Sequence, residues 1–191
     1  CSLAWRKLMV LLNSPICDRE KVMPSFELMN IDGTVLKSKE LVGKSGTLIM
    51  FICNHCPYVK AIIKKLVLTT QELKKYGINS IAIMPNDFIK YPEDNFENMK
   101  IFAKENKFNF PYLIDESQNV AKNFGAVCTP DFFGYNHEGK LNYRGRISEM
   151  NNLQFVNEKN ELLEAMIMIS IKNKGPEIQY PSAGCSIKWK N

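Results

Sequence analysis

The sequence predicts an α/β fold, and three observations carry that expectation. Residues 47–52 (TLIMFI) form a short continuous apolar run, and residues 78–84 (INSIAIM) are again rich in isoleucine, as strands buried on both faces are. Between them apolar residues recur at helical spacing, at Val59, Ile62, Ile63, Leu66, Val67 and Leu73. Two turn-centred patterns of short strands frame this alternation.

In chain order, residues 25–29 and 34–36 flank Asn30-Ile31-Asp32-Gly33, which reads as a hairpin turn. The strand at 47–52 leads into the helix through Val59 and Leu73, which Gly77 ends. The strand at 78–84 follows. Pro92 then opens a helix with Glu93 and Asp94 in its first turn, where the helix dipole favours anions, and Phe96, Met99, Phe102 and Ala103 give it an apolar face. Residues 110–114 read as a strand and 116–124 as a short helix closed by Gly125. Residues 131–136 and 140–144 flank His137-Glu138-Gly139, a second hairpin. Residues 152–172 read as one long helix through Leu153, Val156, Leu162, Leu163, Met166 and Ile169. Gly175-Pro176 stops it, and an irregular tail runs to Asn191. With no repeat and no long Gly/Ser linker, the chain divides into an N-terminal extension (1–23), one α/β domain (24–173) and a C-terminal tail packing on it (174–191).

A length of 191 residues with 45% hydrophobic and 24% charged residues suits one soluble globular domain. No apolar run approaches the roughly 20 residues of a membrane span. The net charge of +5 comes from lysines spread along the chain, with pairs such as Lys64-Lys65 and no long block. That describes a lysine-coated surface rather than a nucleic-acid patch. The sequence starts at Cys1, so the N-terminus is processed or trimmed. Residues 3–12 carry Trp5, Arg6 and Lys7 before a five-residue apolar stretch, shorter than the roughly 7–15 residues of a signal-peptide core. They read as an extension or a short helix on the domain. The expected location is cytoplasmic, with export or a lipidated Cys1 left open.

The chemistry-bearing feature is six cysteines against two histidines, too sparse for a disulfide scaffold. Cys53 and Cys56 form a Cys-x-x-Cys inside FICNHCPYVK (51–60). Cys56 sits where the helix begins, and Pro57 takes the first helical position. A thiolate there faces unpaired backbone N–H groups and the positive end of the helix dipole, which lowers the thiol pKa from about 8.5. Only the thiolate is nucleophilic. His55 either assists in protonated form or is an exposed turn residue.

Downstream, GAVCTPDFF (125–133) sets Thr129-Pro130 after a helix and directly before a strand. Here the chain resembles the thioredoxin superfamily, within its peroxiredoxin-like AhpC/TSA branch. The matching segments are 51–61 (FICNHCPYVKA), 86–99 with YPEDNFENM, 110–133 (FPYLIDESQNVAKNFGAVCTPDFF), 143–147 (YRGRI) and 181–190 (PSAGCSIKWK). With the first hairpin, the likeness extends over nearly all of 24–190. It implies a thioredoxin-like fold: a central mixed β-sheet flanked by helices, with an N-terminal β-hairpin and a C-terminal tail. It also implies a cis proline at Pro130 opposite the reactive cysteine. The implied activity is a thiol-dependent oxidoreductase or antioxidant peroxidase, with Cys56 attacking a disulfide or peroxide. The implied partners are that substrate and an external thiol reductant such as a thioredoxin or glutathione. No cofactor, metal, nucleic acid or membrane span is expected, and the protein is expected to be a monomer or weak homodimer.

The departures from the family pattern bear on mechanism. Aligned on strand end and helix start, Cys56 takes the first position of the thioredoxin Cys-x-x-Cys, and Val59 occupies the second. Against the peroxiredoxin pattern Pro-x-x-x-Thr-x-x-Cys, Cys56 is again the reactive cysteine, but Cys53 replaces the threonine and Ile49 the proline. The peroxide-orienting arginine of that pattern would fall near Pro130, which is not an arginine. Arg144 and Arg146 are its candidate substitutes, or else surface and salt-bridging residues.

A sulfenic acid or mixed disulfide on Cys56 must be resolved by another thiol. The candidates are Cys53, Cys128, Cys185 and an external thiol. Cys128 precedes the Thr129-Pro130 loop, so the implied fold brings Cys53, Cys56 and Cys128 together. Cys53 alternatively packs as a small apolar side chain, and Cys185 arrives if the tail folds back over the site. Cys1 and Cys17 lie outside the motifs. Two other classes compete: a metal-binding thiol module built on the converging cysteines and His55, and a redox-inert interaction domain. Structural zinc sites usually pair two Cys/His spacings, and only one pair exists here.

Overall fold

Every residue of β4 (Gly46–Phe51) is buried, as a strand covered on both faces must be. In this computed structural model, which describes residues 10–191, β4 is an interior strand of a seven-stranded mixed sheet. The readings made on Cys1 and on most of 3–12 lie outside the described residues.

Before β4 come β1 (Leu11–Asn13), the hairpin β2 (Glu27–Asn30) and β3 (Val35–Lys37), and the one-turn α1 (Ser38–Leu41). After it follow α2 (Pro57–Lys74), β5 (Ile78–Met84), a 3-10 turn at Pro92–Asp94, α3 (Phe96–Glu105), β6 (Tyr112–Ile114) and α4 (Asn119–Phe124). Next are β7 (Cys128–Thr129), the hairpin β8 (Asp131–Asn136) and β9 (Leu141–Arg144), and the small hairpin β10 (Met150–Asn151) and β11 (Gln154–Phe155). The chain closes with α5 (Glu161–Lys172) and β12 (Ala183–Ser186). The main sheet runs β3-β2-β6-β5-β4-β8-β9. β4, β5 and β6 are parallel and the other pairings antiparallel, so the mixed sheet flanked by helices is observed.

The period of two along β4 builds the two cores. Leu48 and Met50 face a cluster that holds Ile62 and Leu66 of α2 and Leu162, Met166 and Ile169 of α5. Ile49 and Phe51 face the opposite cluster, with Val120, Ala121 and Phe124 of α4 and with Phe26. α5 approaches the sheet closely because Gly134 of β8 has no side chain: a Cβ there would lie 2.5 Å from Met166 Sδ.

Three segments differ from the sequence reading. The helix expected over 152–172 starts only at Glu161, where Asn160 accepts the Leu163 N–H at 2.9 Å as N-cap. Residues 152–153 instead turn the β10–β11 hairpin with φ of 48° and 61°; two successive left-handed residues end any helix. The helix expected from Pro92 is a 3-10 turn followed by α3, because Asn95 is extended and caps Asn98 N–H at 2.9 Å. The tail is not irregular throughout. β12 pairs antiparallel with β1 on one side and β7 on the other, giving a second sheet of order β1-β12-β7.

Candidate active site

The site forms where β4 hands over to α2. Ile52 still bonds Ile83 O at 3.1 Å, and Cys56 is the N-cap of α2, with extended dihedrals (φ −67°, ψ 123°) and Pro57 behind it. The Lys60 N–H closes the first helical turn on Cys56 O at 3.0 Å. The Cys56 side chain is therefore fixed at the positive end of an 18-residue helix.

Two other thiols reach it. Cys56 Sγ lies 2.9 Å from Cys185 Sγ of β12 and 3.3 Å from the Thr129 carbonyl oxygen of β7. Cys53 contacts Cys56 and lies 3.4 Å from Thr129 Oγ1. As a thiol, Cys56 donates to the Thr129 carbonyl; as a thiolate, it accepts from its neighbours. The Cys185 and Cys53 thiols, together with the Val59 and Cys185 backbone N–H groups, stabilise that thiolate against burial and hold the Cys56 pKa far below the ordinary value. Cys185 moves the other way, because it gives its hydrogen bond to the Cys56 thiolate and is buried. Cys53 is also pushed well up, by burial first, then by Cys56 and by the charge of Asp94. The acidity of the three sulfurs is thus shifted toward Cys56 and away from its two neighbours.

Cys128, expected to join this group, does not. Successive strand residues point to opposite faces, and Thr129 turns its hydroxyl toward Cys53. Cys128 donates instead to Pro130 O at 3.6 Å, and burial, with Asp131 nearby, raises its pKa. The converging thiols are Cys53, Cys56 and Cys185. The Thr129–Pro130 bond is cis, and Ser182 Oγ donates to Pro130 O at 2.7 Å, tying the tail to the loop.

The turn over residues 53–56 is braced from below by a carboxylate that the sequence reading assigned only to a helix first turn. Asp94 is fully buried and accepts Asn54 N–H at 2.8 Å and Asn86 Nδ2 at 2.9 Å. Tyr112 OH donates to Asn54 Oδ1 at 2.7 Å. His55 Nδ1 lies 2.6 Å from Asp94 Oδ2 but off the N–H direction, so the pair is an electrostatic contact. Burial disfavours the charged ring, yet Asp94 outweighs it and the His55 pKa rises. The ring also stacks on Tyr91 at 6.0 Å. The segment YPEDN was the available signal for Asp94, but nothing in its spacing distinguishes a helix-start anion from a brace.

Cys53, His55 and Asp94 bring three metal-type donor atoms within 4.8 Å of one another. Both Asp94 oxygens are already committed to Asn54, Asn86 and His55, and Cys128 faces elsewhere, so the donor set differs from the cysteine cluster a thiol metal module was expected to use.

The two arginines are engaged in ion pairs. Arg144 is buried with Asp131 at 2.9 Å and also donates to Gly125 O at 2.9 Å. Arg146 pairs with Glu161 at 2.8 Å and lies over the Tyr180 ring. Arg146 borders, with Tyr58, Pro130 and Ala183, an open cavity of about 720 Å³ beside the cis-proline loop. Cys17, half-buried, packs against the α4-side core away from these thiols.

Comparison with known proteins follows the same lines. The sequence model of the AhpC/TSA family matches residues 20–144. A crystal structure of an uncharacterized conserved protein from Geobacillus kaustophilus is 40% identical, covers 95% of this chain and 97% of its own, and superposes with a TM-score of 0.90. Thiol-disulfide oxidoreductase ResA of Bacillus thuringiensis subsp. konkukian is 24% identical over 121 residues, which are 63% of this chain and 65% of ResA. The chain thus matches just under two thirds of the length of that curated relative. The thioredoxin domain of a thiol-disulfide oxidoreductase from Bacteroides vulgatus is 19% identical, with a TM-score of 0.56 over 66% of this chain and 86% of that one. That likeness shows the fold, which is thioredoxin-like.

Proposed function

Because the chain belongs to the AhpC/TSA family, a group of thioredoxin-fold redoxins, we propose that it is a thiol-disulfide oxidoreductase with Cys56 as nucleophile and Cys185 as resolving thiol. The observation that carries this reading is the 2.9 Å approach of Cys185 Sγ to Cys56 Sγ at the start of α2. The Cys56 thiolate attacks one sulfur of a substrate disulfide, forms the mixed disulfide and expels the other sulfur as a thiolate. Cys185, deprotonated as it attacks, then displaces the remaining substrate thiolate and leaves a Cys56–Cys185 disulfide. Two electrons pass to the substrate, and an external dithiol restores the reduced protein.

A disulfide is favoured over a peroxide by what surrounds Cys56. Cleaving an O–O bond leaves an alkoxide that needs a donor beside it, and both nearby arginines are held in ion pairs with Asp131 and Glu161. The test is a pair of variants. Cys56→Ser is expected to abolish thiol-dependent disulfide turnover while the circular dichroism spectrum stays native. Cys185→Ser is expected to accumulate the mixed disulfide on Cys56, seen by mass spectrometry. Turnover retained in Cys56→Ser would overturn the assignment.

A further inference from the structure

β12 occupies a strand slot at the reactive thiol. Its Cys185 stands opposite Thr129 and its Ser186 opposite Cys128, and Ile187 N–H continues the pairing to Val127 O at 3.1 Å. Main-chain groups of β7 and the residue before it thus hold an extended segment in one register, and that register delivers a cysteine sulfur onto Cys56. With the segment in place, Cys56 is fully buried, so no second disulfide reaches it. The slot is also sterically exacting one residue before the sulfur. A Cβ on Gly184 would overlap the Thr129 carbonyl, 2.6 Å from its carbon and 3.0 Å from Pro130 N, and both are backbone atoms that cannot swing aside.

We propose that the edge of β7 is the site for a polypeptide substrate, that β12 is its tethered resident, and that the site selects a disulfide-bonded cysteine preceded by glycine. This rests on the Cys56–Cys185 reading above and names its substrate class. The tail leaves, an extended Gly-Cys segment adds to β7 in its place, and Cys56 attacks the cysteine sulfur as described. The segment then peels off β7 while still joined to Cys56 through its sulfur, the tail returns to the vacated edge, and Cys185, losing its proton, attacks Cys56 Sγ and displaces the segment's sulfur as a thiolate. The tail is at once gate and second reactant.

The experiment uses full-length Cys185→Ser, which stops at the mixed disulfide. The probes are the peptide Ac-PSAGCSIK-amide, and its analogue with alanine for the glycine, each carrying thionitrobenzoate on the cysteine. Thionitrobenzoate is the better leaving group, so attack falls on the peptide sulfur and releases the chromophore. The glycine peptide is expected to react about tenfold faster or more, the ratio an unrelieved overlap imposes. Gly184→Val in the same background is expected to dislodge the tail and accelerate both peptides while keeping their ratio. Equal rates for the two peptides overturn the steric selection, and no acceleration by Gly184→Val overturns the tail as occupant. Dithionitrobenzoate, small and without a backbone, is the control. If it fails to label Cys56 in the Gly184→Val background, where the tail no longer covers the sulfur, the nucleophile assignment falls; if it labels Cys56 there while the peptides react alike, only the slot inference does.

Discussion

At the scale of single residues, the acidity of Cys56 belongs to a group of three sulfurs rather than to one side chain. The two neighbouring thiols lower the Cys56 pKa while their own are raised. A depressed folded-state pKa contributes stability that is present above the ordinary thiol value and is lost as pH falls through the depressed one. The ultraviolet thiolate absorbance of Cys56, which needs no reagent to enter the site, is therefore expected to stay flat from about pH 8 to about pH 6, where that of an ordinary thiol falls about tenfold per unit. Cys185→Ala removes the largest stabiliser and is expected to restore a falling profile across that window. His55 obeys the opposite sign. Its raised pKa favours the folded state at low pH, and that contribution is lost as pH rises through the raised value. Asp94→Asn is expected to lower the His55 midpoint in an NMR titration. The placement of Cys56 was legible, because a cysteine followed by proline after a buried strand reads as a helix start. Asp94 was not legible as a brace, because its partners Asn54 and Asn86 come from separate turns that only folding brings together.

At the scale of elements, the buried strands were readable and the boundaries set by tertiary contact were not. Leu153 and Val156 continue the helical spacing of α5, yet residues 150–155 pair as a hairpin with 152–153 as its turn. Helix α5 therefore depends on its own cap. Asn160→Ala removes the acceptor of Leu163 N–H and is expected to cost about 1 kcal/mol, read as a lower urea midpoint with unchanged slope. β12 was illegible for another reason. Residues 181–186 (PSAGCS) have neither alternation nor β-branched side chains, so nothing local argues for a strand. Its pairing is imposed from outside, by β1 and β7, with Ser14 and Ser182 exchanging hydrogen bonds at the entry: Ser14 N–H to Ser182 O at 2.8 Å and Ser182 N–H to Ser14 Oγ at 2.9 Å.

At the scale of the whole molecule, the α/β order was legible because two cores need a strand buried on both sides, and β4 advertises it. The joints between layers were not. Arg144 of β9 ties the start of β8 through Asp131 and the end of α4 through Gly125. With both ions of the pair buried, Arg144→Ala is expected to cost about 3–5 kcal/mol by leaving Asp131 unpaired, measured by urea unfolding at neutral pH. Burial already raises the Asp131 pKa, with Arg144 opposing it. The variant's penalty is therefore expected to shrink on acidification, as the carboxyl takes up a proton more readily in the folded state than in the unfolded chain.

The meeting of Cys56 and Cys185 has a topological consequence. The two residues are 129 apart in sequence, so a bond between them closes most of the chain, from α2 through β12, into a ring. The residues before Cys56 lie outside the ring in sequence, and six residues trail beyond Cys185. The reduced chain can be drawn out to its full contour from end to end; the oxidised one becomes a lasso that cannot. Its denatured state is correspondingly more compact, and under the proposed cycle each turnover would close and reopen a noose around the fold's own core.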